Sequence, residues 1–106
     1  MPETDLKNAI LDYLGYKNIY CWLNNTMGNY NPKTNSYYKN PRLTKGVADI
    51  IGLLPSGQLL AIECKFGKNK QSEAQKEFQT QVVANNGVYL LIYNLEEVEE
   101  YFNKLK

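Results

Sequence analysis

Asp49, Glu63 and Lys65 are the residues of this 106-residue chain whose types and spacing could do chemistry. They lie in two strongly apolar segments, VADIIGLL (47–54) and QLLAIECK (58–65), joined by Pro55-Ser56-Gly57. Three residues with a glycine at the end make a hairpin turn, the glycine being free to take a left-handed conformation. If Leu54 and Gln58 flank that turn, pairing counted outward sets Asp49 directly opposite Glu63. Facing residues on neighbouring strands have Cβ atoms about 4.5–5.5 Å apart, so two carboxylates there repel unless a shared proton or a cation intervenes. Lys65 follows Glu63 by two positions and projects from the same face, while Cys64 points to the other. A structural carboxylate–lysine cluster at a strand end is the other reading of this spacing.

Hard oxygen ligands of this kind suit Mg²⁺ or Mn²⁺, ions that keep some of their waters and accept a substrate phosphate. Phosphodiester hydrolysis is the chemistry such a set performs, with the lysine positioning water or stabilising developing charge. The chain contains no histidine. Histidine general bases, Ser-His and Cys-His nucleophile pairs and Cys-His zinc clusters are therefore excluded.

The net charge of +1 conceals an uneven distribution. Between residues 31 and 76 stand Lys33, Lys39, Arg42, Lys45, Lys65, Lys68, Lys70 and Lys76 against Asp49, Glu63 and Glu73. Glu96, Glu97, Glu99 and Glu100 compensate near the end of the chain. A basic middle of this kind is either a solvated face or a surface for phosphates, and on charge alone Arg42, Lys45, Lys68 and Lys70 are candidates for contacting a nucleic-acid backbone. The length matches one domain spanning 1–106, and 43% hydrophobic residues are enough for a packed core. No apolar run reaches the roughly 20 residues of a membrane span, and MPETDLKNAI lacks a signal-peptide layout, so a cytoplasmic location is expected. Cys21 and Cys64 both fall in strand-like apolar segments and read as reduced core thiols.

The elements that must position these residues follow from periodicity. TDLKNAILDYLG predicts a helix over about 4–14, with Thr4 or Asp5 as cap and Gly15 as stop. NIYCWLN predicts a strand over about 18–24. Residues 25–45, rich in asparagine, tyrosine and lysine, show no period and read as a long loop or a hairpin-like excursion. The hairpin strands offer little polar face, which places both centrally in a sheet covered on both sides. SEAQKEFQTQVVANNG predicts a helix with Ser72 as N-cap and Gly87 beyond its end, VYLLIY a strand, and Asn94 the cap of a last helix through LEEVEEYFNKLK. Ser72-x-x-Gln75 has the form of a capping box, in which the glutamine reaches back to the cap.

Gly46-Val47-Ala48-Asp49, a short hairpin, Ile62-Glu63-Cys64-Lys65 and then Gln75 in the next helix together resemble the VRR-NUC branch of the PD-(D/E)XK nuclease superfamily, over nearly the whole chain. The resemblance implies an α/β, restriction-endonuclease-like fold, a central mixed sheet flanked by helices in the order αβββαβα. It implies Mg²⁺ or Mn²⁺ as cofactor, held by Asp49, Glu63 and the backbone carbonyl of Cys64, with Lys65 and Gln75 completing the catalytic set. Glu3 matches an acidic residue that family members carry before the first helix, although negative charge is favourable at a helix start in any case. Ala48 stands where the superfamily name has proline, and Leu23 and Asn24 stand near where relatives often carry an arginine. The expected function is a metal-dependent endonuclease acting on DNA, structure-selective in the manner of Holliday-junction resolvases, and a two-fold homodimer is the expected assembly. A nuclease-like module that binds nucleic acid without cutting is the alternative.

Overall fold

The computed structural model describes residues 3–24, 29–31, 36–38 and 44–104, with side chains described within 4–24 and 44–104. Its elements in chain order are α1 (Glu3–Tyr16), β1 (Tyr20–Leu23), β2 (Asn29–Asn31), β3 (Ser36–Tyr38), β4 (Ile50–Leu53), β5 (Leu59–Cys64), α2 (Glu73–Ala84), β6 (Val88–Ile92) and α3 (Leu95–Asn103). The expected order αβββαβα omits β2 and β3, and the observed order differs from it by those two strands. They pair with each other in a separate antiparallel ribbon, Asn29 opposite Tyr38, so that segment is a hairpin excursion rather than a structureless loop. Its composition carries no apolar alternation because the ribbon is not part of the main sheet.

The main sheet has the order β1-β4-β5-β6. β1 and β4 are antiparallel, as are β4 and β5, whereas β5 and β6 are parallel and joined through α2. The two most apolar strands, β4 and β5, are central, as continuous burial on both faces requires. Between them, the amide of Leu54 donates to the Gln58 carbonyl at 2.9 Å, and Gly57 adopts φ +90° in the turn. Ile50 faces Ile62 and Leu53 faces Leu59, the register counted from Leu54 and Gln58.

Alternation along β5 divides the core between two layers. Leu60, Ile62 and Cys64 pack with Leu6, Ile10 and Leu14 of α1 and Val98 and Phe102 of α3. On the opposite face Ala61 joins Ala48, Ile51 and Val82, with Leu59, Phe78 and Tyr89 at the margin. The sheet is thus covered by α1 and α3 on one side and by α2 on the other. Among the described residues no helix is long and apolar enough to cross a membrane.

Element ends follow local chemistry, with one exception. Asn94 caps α3 through a 3.0 Å bond from the Glu97 amide to its side chain, and Ser72 caps α2. Gly15, expected to stop the first helix, instead lies inside it; α1 continues to Tyr16 and the left-handed residue is Asn18, at φ 62°. Asparagine tolerates that conformation better than most residues, because its side chain bonds locally. Both cysteines are free thiols, Cys64 buried and Cys21 only partly so.

Candidate active site at the open end of the central hairpin

The open end of the β4–β5 hairpin brings Asp49 and Glu63 together. Asp49 immediately precedes β4, and its Oδ2 accepts a 2.9 Å hydrogen bond from the Cys64 amide. The Asn24 amide donates to the Asp49 carbonyl at 2.8 Å, continuing the β1–β4 ladder one step past Leu23. Glu63 is the second-last residue of β5 and only 2% exposed, the one charged residue buried to this degree among those described. One step beyond the Ile50–Ile62 pair, its carboxyl stands opposite Asp49 and interacts with it. Burial first, then the hydrogen bond to Asp49 and its charge, push the Glu63 pKa up to about 8, against the opposing pull of Lys65 and Lys7. Lys65 is half-buried just past the end of β5, with its amide bonded to the Ile92 carbonyl of the neighbouring strand at 2.9 Å.

Gln75 completes the capping box of α2 and also reaches Glu63. Its Oε1 accepts from the Ser72 amide at 2.8 Å while its own amide N–H donates to Ser72 Oγ at 3.1 Å, a complete capping box. Its Nε2 donates to Glu63 Oε1 at 2.9 Å. A primary amide carries an acceptor and two donors at one end, so it can serve the helix and the carboxyl together. This arrangement makes Gln75→Glu informative. Glutamate is as good as glutamine in a capping box, yet here it sets a third carboxyl against Glu63. The substitution is expected to cost about 1–3 kcal/mol at pH 8, read as a lowered urea midpoint; an unchanged midpoint would reduce Gln75 to a cap.

Gly46, at φ +76°, lies against the backbone of Ala74 and within 2.6 Å of the Gln75 amide nitrogen when a Cβ is built on it. Only glycine allows the segment leading into Asp49 to touch the first turn of α2. The same approach sets Lys45, which is exposed, beside that turn. Lys68 and Lys70 are exposed in the β5–α2 connection. Arg42 lies outside the described residues, as does the side chain of Glu3, whose backbone begins α1 one helical turn before Lys7.

Lys7 is the residue that sequence reasoning missed. Its Nζ lies 3.5 Å from Asp49 Oδ1. Its only advance signal is its position beside the buried stripe Leu6, Ile10 and Leu14, which fixes the orientation of α1 without revealing what its flank meets. Gln71 was also missed. It donates to both Gln79 and the Tyr89 hydroxyl, at 2.9 and 3.1 Å, tying the β5–α2 connection to the helix and to β6. Burial raises the Tyr89 pKa, the Gln71 bond opposes this, and the charges of Glu63 and Asp49 add to the rise.

Among the described residues, no group of three or more His, Cys, Asp or Glu side chains converges to hold a metal ion. The two carboxyls that do meet would need a main-chain oxygen, such as the expected carbonyl of Cys64, or water to complete a coordination shell. Comparison of the chain with models of known protein families, with curated proteins and with solved structures finds no match.

Proposed function

We propose that this chain is a metal-dependent nuclease of the PD-(D/E)XK type, with a restriction-endonuclease-like fold in its VRR-NUC form, and that it hydrolyses DNA phosphodiester bonds. The observation that carries the reading is the carboxyl pair formed by the buried Glu63 and the half-buried Asp49. Two acidic groups at the open end of an apolar hairpin are costly to bury, and here Glu63 reaches neutrality only by protonation. A divalent cation relieves the same repulsion, and the donors are hard oxygens of the kind Mg²⁺ and Mn²⁺ select. The residues present fit such an ion.

Asp49 and Glu63 would hold the cation, with the Cys64 carbonyl as the main-chain ligand. When bound, it supplies positive charge to a scissile phosphate and acidifies a nearby water. Gln75 fixes the direction of the Glu63 carboxyl through its 2.9 Å bond. The Cys64 amide orients Asp49 in the same way. Lys65, whose charge acts on Glu63, would hold a water for attack or meet charge developing on the phosphate. Lys7 balances negative charge at Asp49. Lys45, Lys68 and Lys70, with Arg42, would contact backbone phosphates without reading sequence. Branched DNA and a two-fold homodimer complete the proposal.

The test is incubation of labelled branched and linear DNAs with the protein in Mg²⁺, Mn²⁺ or EDTA, beside Glu63→Ala and Lys65→Ala. Cutting is expected with metal only, and to fall by about 100-fold or more in both variants. Tight binding without cutting would instead identify a non-catalytic nucleic-acid-binding module, and neither binding nor cutting would remove nucleic acid from the account.

A further inference from the structure

Among the described residues, the α2-covered face of the sheet is not covered to its edge. Three cross-strand rows share that face. One holds Tyr20, Leu53 and Leu59, and the next Trp22, Ile51, Ala61 and Tyr89. The third is the site row, with Asn24 bonded to Asp49, which adjoins Glu63. Val82 and Phe78 of α2 cover the inner part, packing with Ile51, Ala61, Leu59 and Tyr89. On the edge strand β1, Tyr20 is 70% exposed and Trp22 42% exposed, and Leu53 beside them is 44% exposed. The two rings lie 5.4 Å apart at 53°.

Trp22 stands one row from the carboxyls. Two residues along a strand and one strand across amount to about 8 Å between Cα positions, roughly the reach from a nucleotide's phosphate to its base. Lys45 precedes β4, Lys68 and Lys70 lie in the connection that follows β5, and all three are exposed, so positive charge flanks in sequence the two strands that carry the carboxyls. Positive charge along a backbone path with aromatic faces beside it is how proteins hold single-stranded nucleic acid. A protein partner fits less well. At 150–250 Å² for a fully exposed aromatic, the three side chains present roughly 300 Å², far short of the ~800 Å² per partner of a stable interface.

We infer that Tyr20 and Trp22 form a stacking platform for an unpaired nucleobase adjacent to the Asp49–Glu63 carboxyls, so that this site takes nucleic acid whose bases are unpaired next to the target phosphate. The inference rests on the nuclease reading for its substrate class. It explains why the largest aromatic residue of the chain is left exposed on an edge strand one row from the carboxyl pair.

Trp22 is the only tryptophan in the chain, so its emission reports the platform directly. In EDTA, the full chain is titrated with a thymidine 20-mer, with an abasic chain of equal length and with blunt duplex. Quenching is expected with the thymidine strand and not with the abasic one. Tyr20→Ala should lower single-strand affinity relative to duplex by roughly fivefold or more, while Trp22→Phe, which keeps an aromatic face, retains it; thermal unfolding of each variant checks the fold. Equal quenching by the abasic strand, or an unchanged affinity ratio in Tyr20→Ala, overturns the platform. If metal-dependent cutting persists alongside either result, the nuclease reading stands without it. Absence of binding and of cutting removes both. Emission that shifts with protein concentration alone, with a dimer in sedimentation that Trp22→Ala dissolves, would give the patch to a second copy and overturn the inference.

Discussion

In EDTA at pH 8.5, Glu63→Gln is expected to be more stable than the parent chain, although it should cut nothing. The cause is the proton that folding takes up. Glu63 titrates near 8 in the folded chain, above its ordinary value of 4.5, because burial and the facing Asp49 disfavour its charge. A carboxyl whose folded pKa is raised binds more protons folded than unfolded, so stability falls as pH rises between the two values. It is fully present below about pH 4.5 and lost by about pH 8. The glutamine amide has nearly the shape of the protonated acid and does not titrate. The parent should therefore lose stability on the order of a few kcal/mol across that window, and Glu63→Gln should lose much less. Urea midpoints at pH 5 and pH 8.5 check this. Parallel pH profiles for the two chains would show that Glu63 is not buried beside a second carboxyl. The proton belongs to the Asp49–Glu63 pair rather than to one oxygen, so the apparent midpoint describes the pair.

Gly46→Ala is expected to lower the thermal midpoint by roughly ten degrees or more on the usual scaling for a domain of this size. Two costs act together at this position. A left-handed conformation costs a residue with a side chain about 1–2 kcal/mol, and the new Cβ overlaps the backbone of Ala74 at the start of α2, which has no flexible end to swing aside. Overpacking adds typically 1–3 kcal/mol. Domains are usually stable by about 5–15 kcal/mol, so a combined loss of about 2–5 kcal/mol leaves the chain folded at room temperature but lowers its thermal midpoint by roughly ten to forty degrees. Gly57→Ala gives the internal comparison. It shares a positive φ, at +90°, but meets nothing within 4 Å, so it should cost only the conformational part. Equal midpoints for the two variants would refute the close approach of the Asp49 segment to α2.

Much of the site was legible because its key relation is local. Asp49 and Glu63 are joined by a three-residue turn, and once Gly57 is recognised as the left-handed residue, the register follows by counting and sets the two acids face to face. The centrality of β4 and β5 followed from their lack of a polar face. What could not be read were relations across long sequence separations. Lys7 meets Asp49 through the tilt of a helix against a sheet, which no periodicity encodes. Gln75 posed a choice between a cap and a partner for Glu63 that composition could not make, because the one amide bonds both Ser72 and Glu63. The β2–β3 ribbon left no alternating pattern, since its strands do not help build the main core. Gly15 misled because glycine at the last turn of a helix often ends it, whereas here Asn18 performs that role two residues beyond the helix.

The amide of Gln75 has a consequence for motion as well as for geometry. The first turn of any helix is its least protected part and opens locally at far lower free energy than the whole domain. In this molecule that turn cannot open without releasing Glu63, because one planar group holds both. Fraying of α2 therefore frees the buried carboxyl as well, and the rate at which the helix breathes sets a lower limit on how often the acid can turn toward anything that enters.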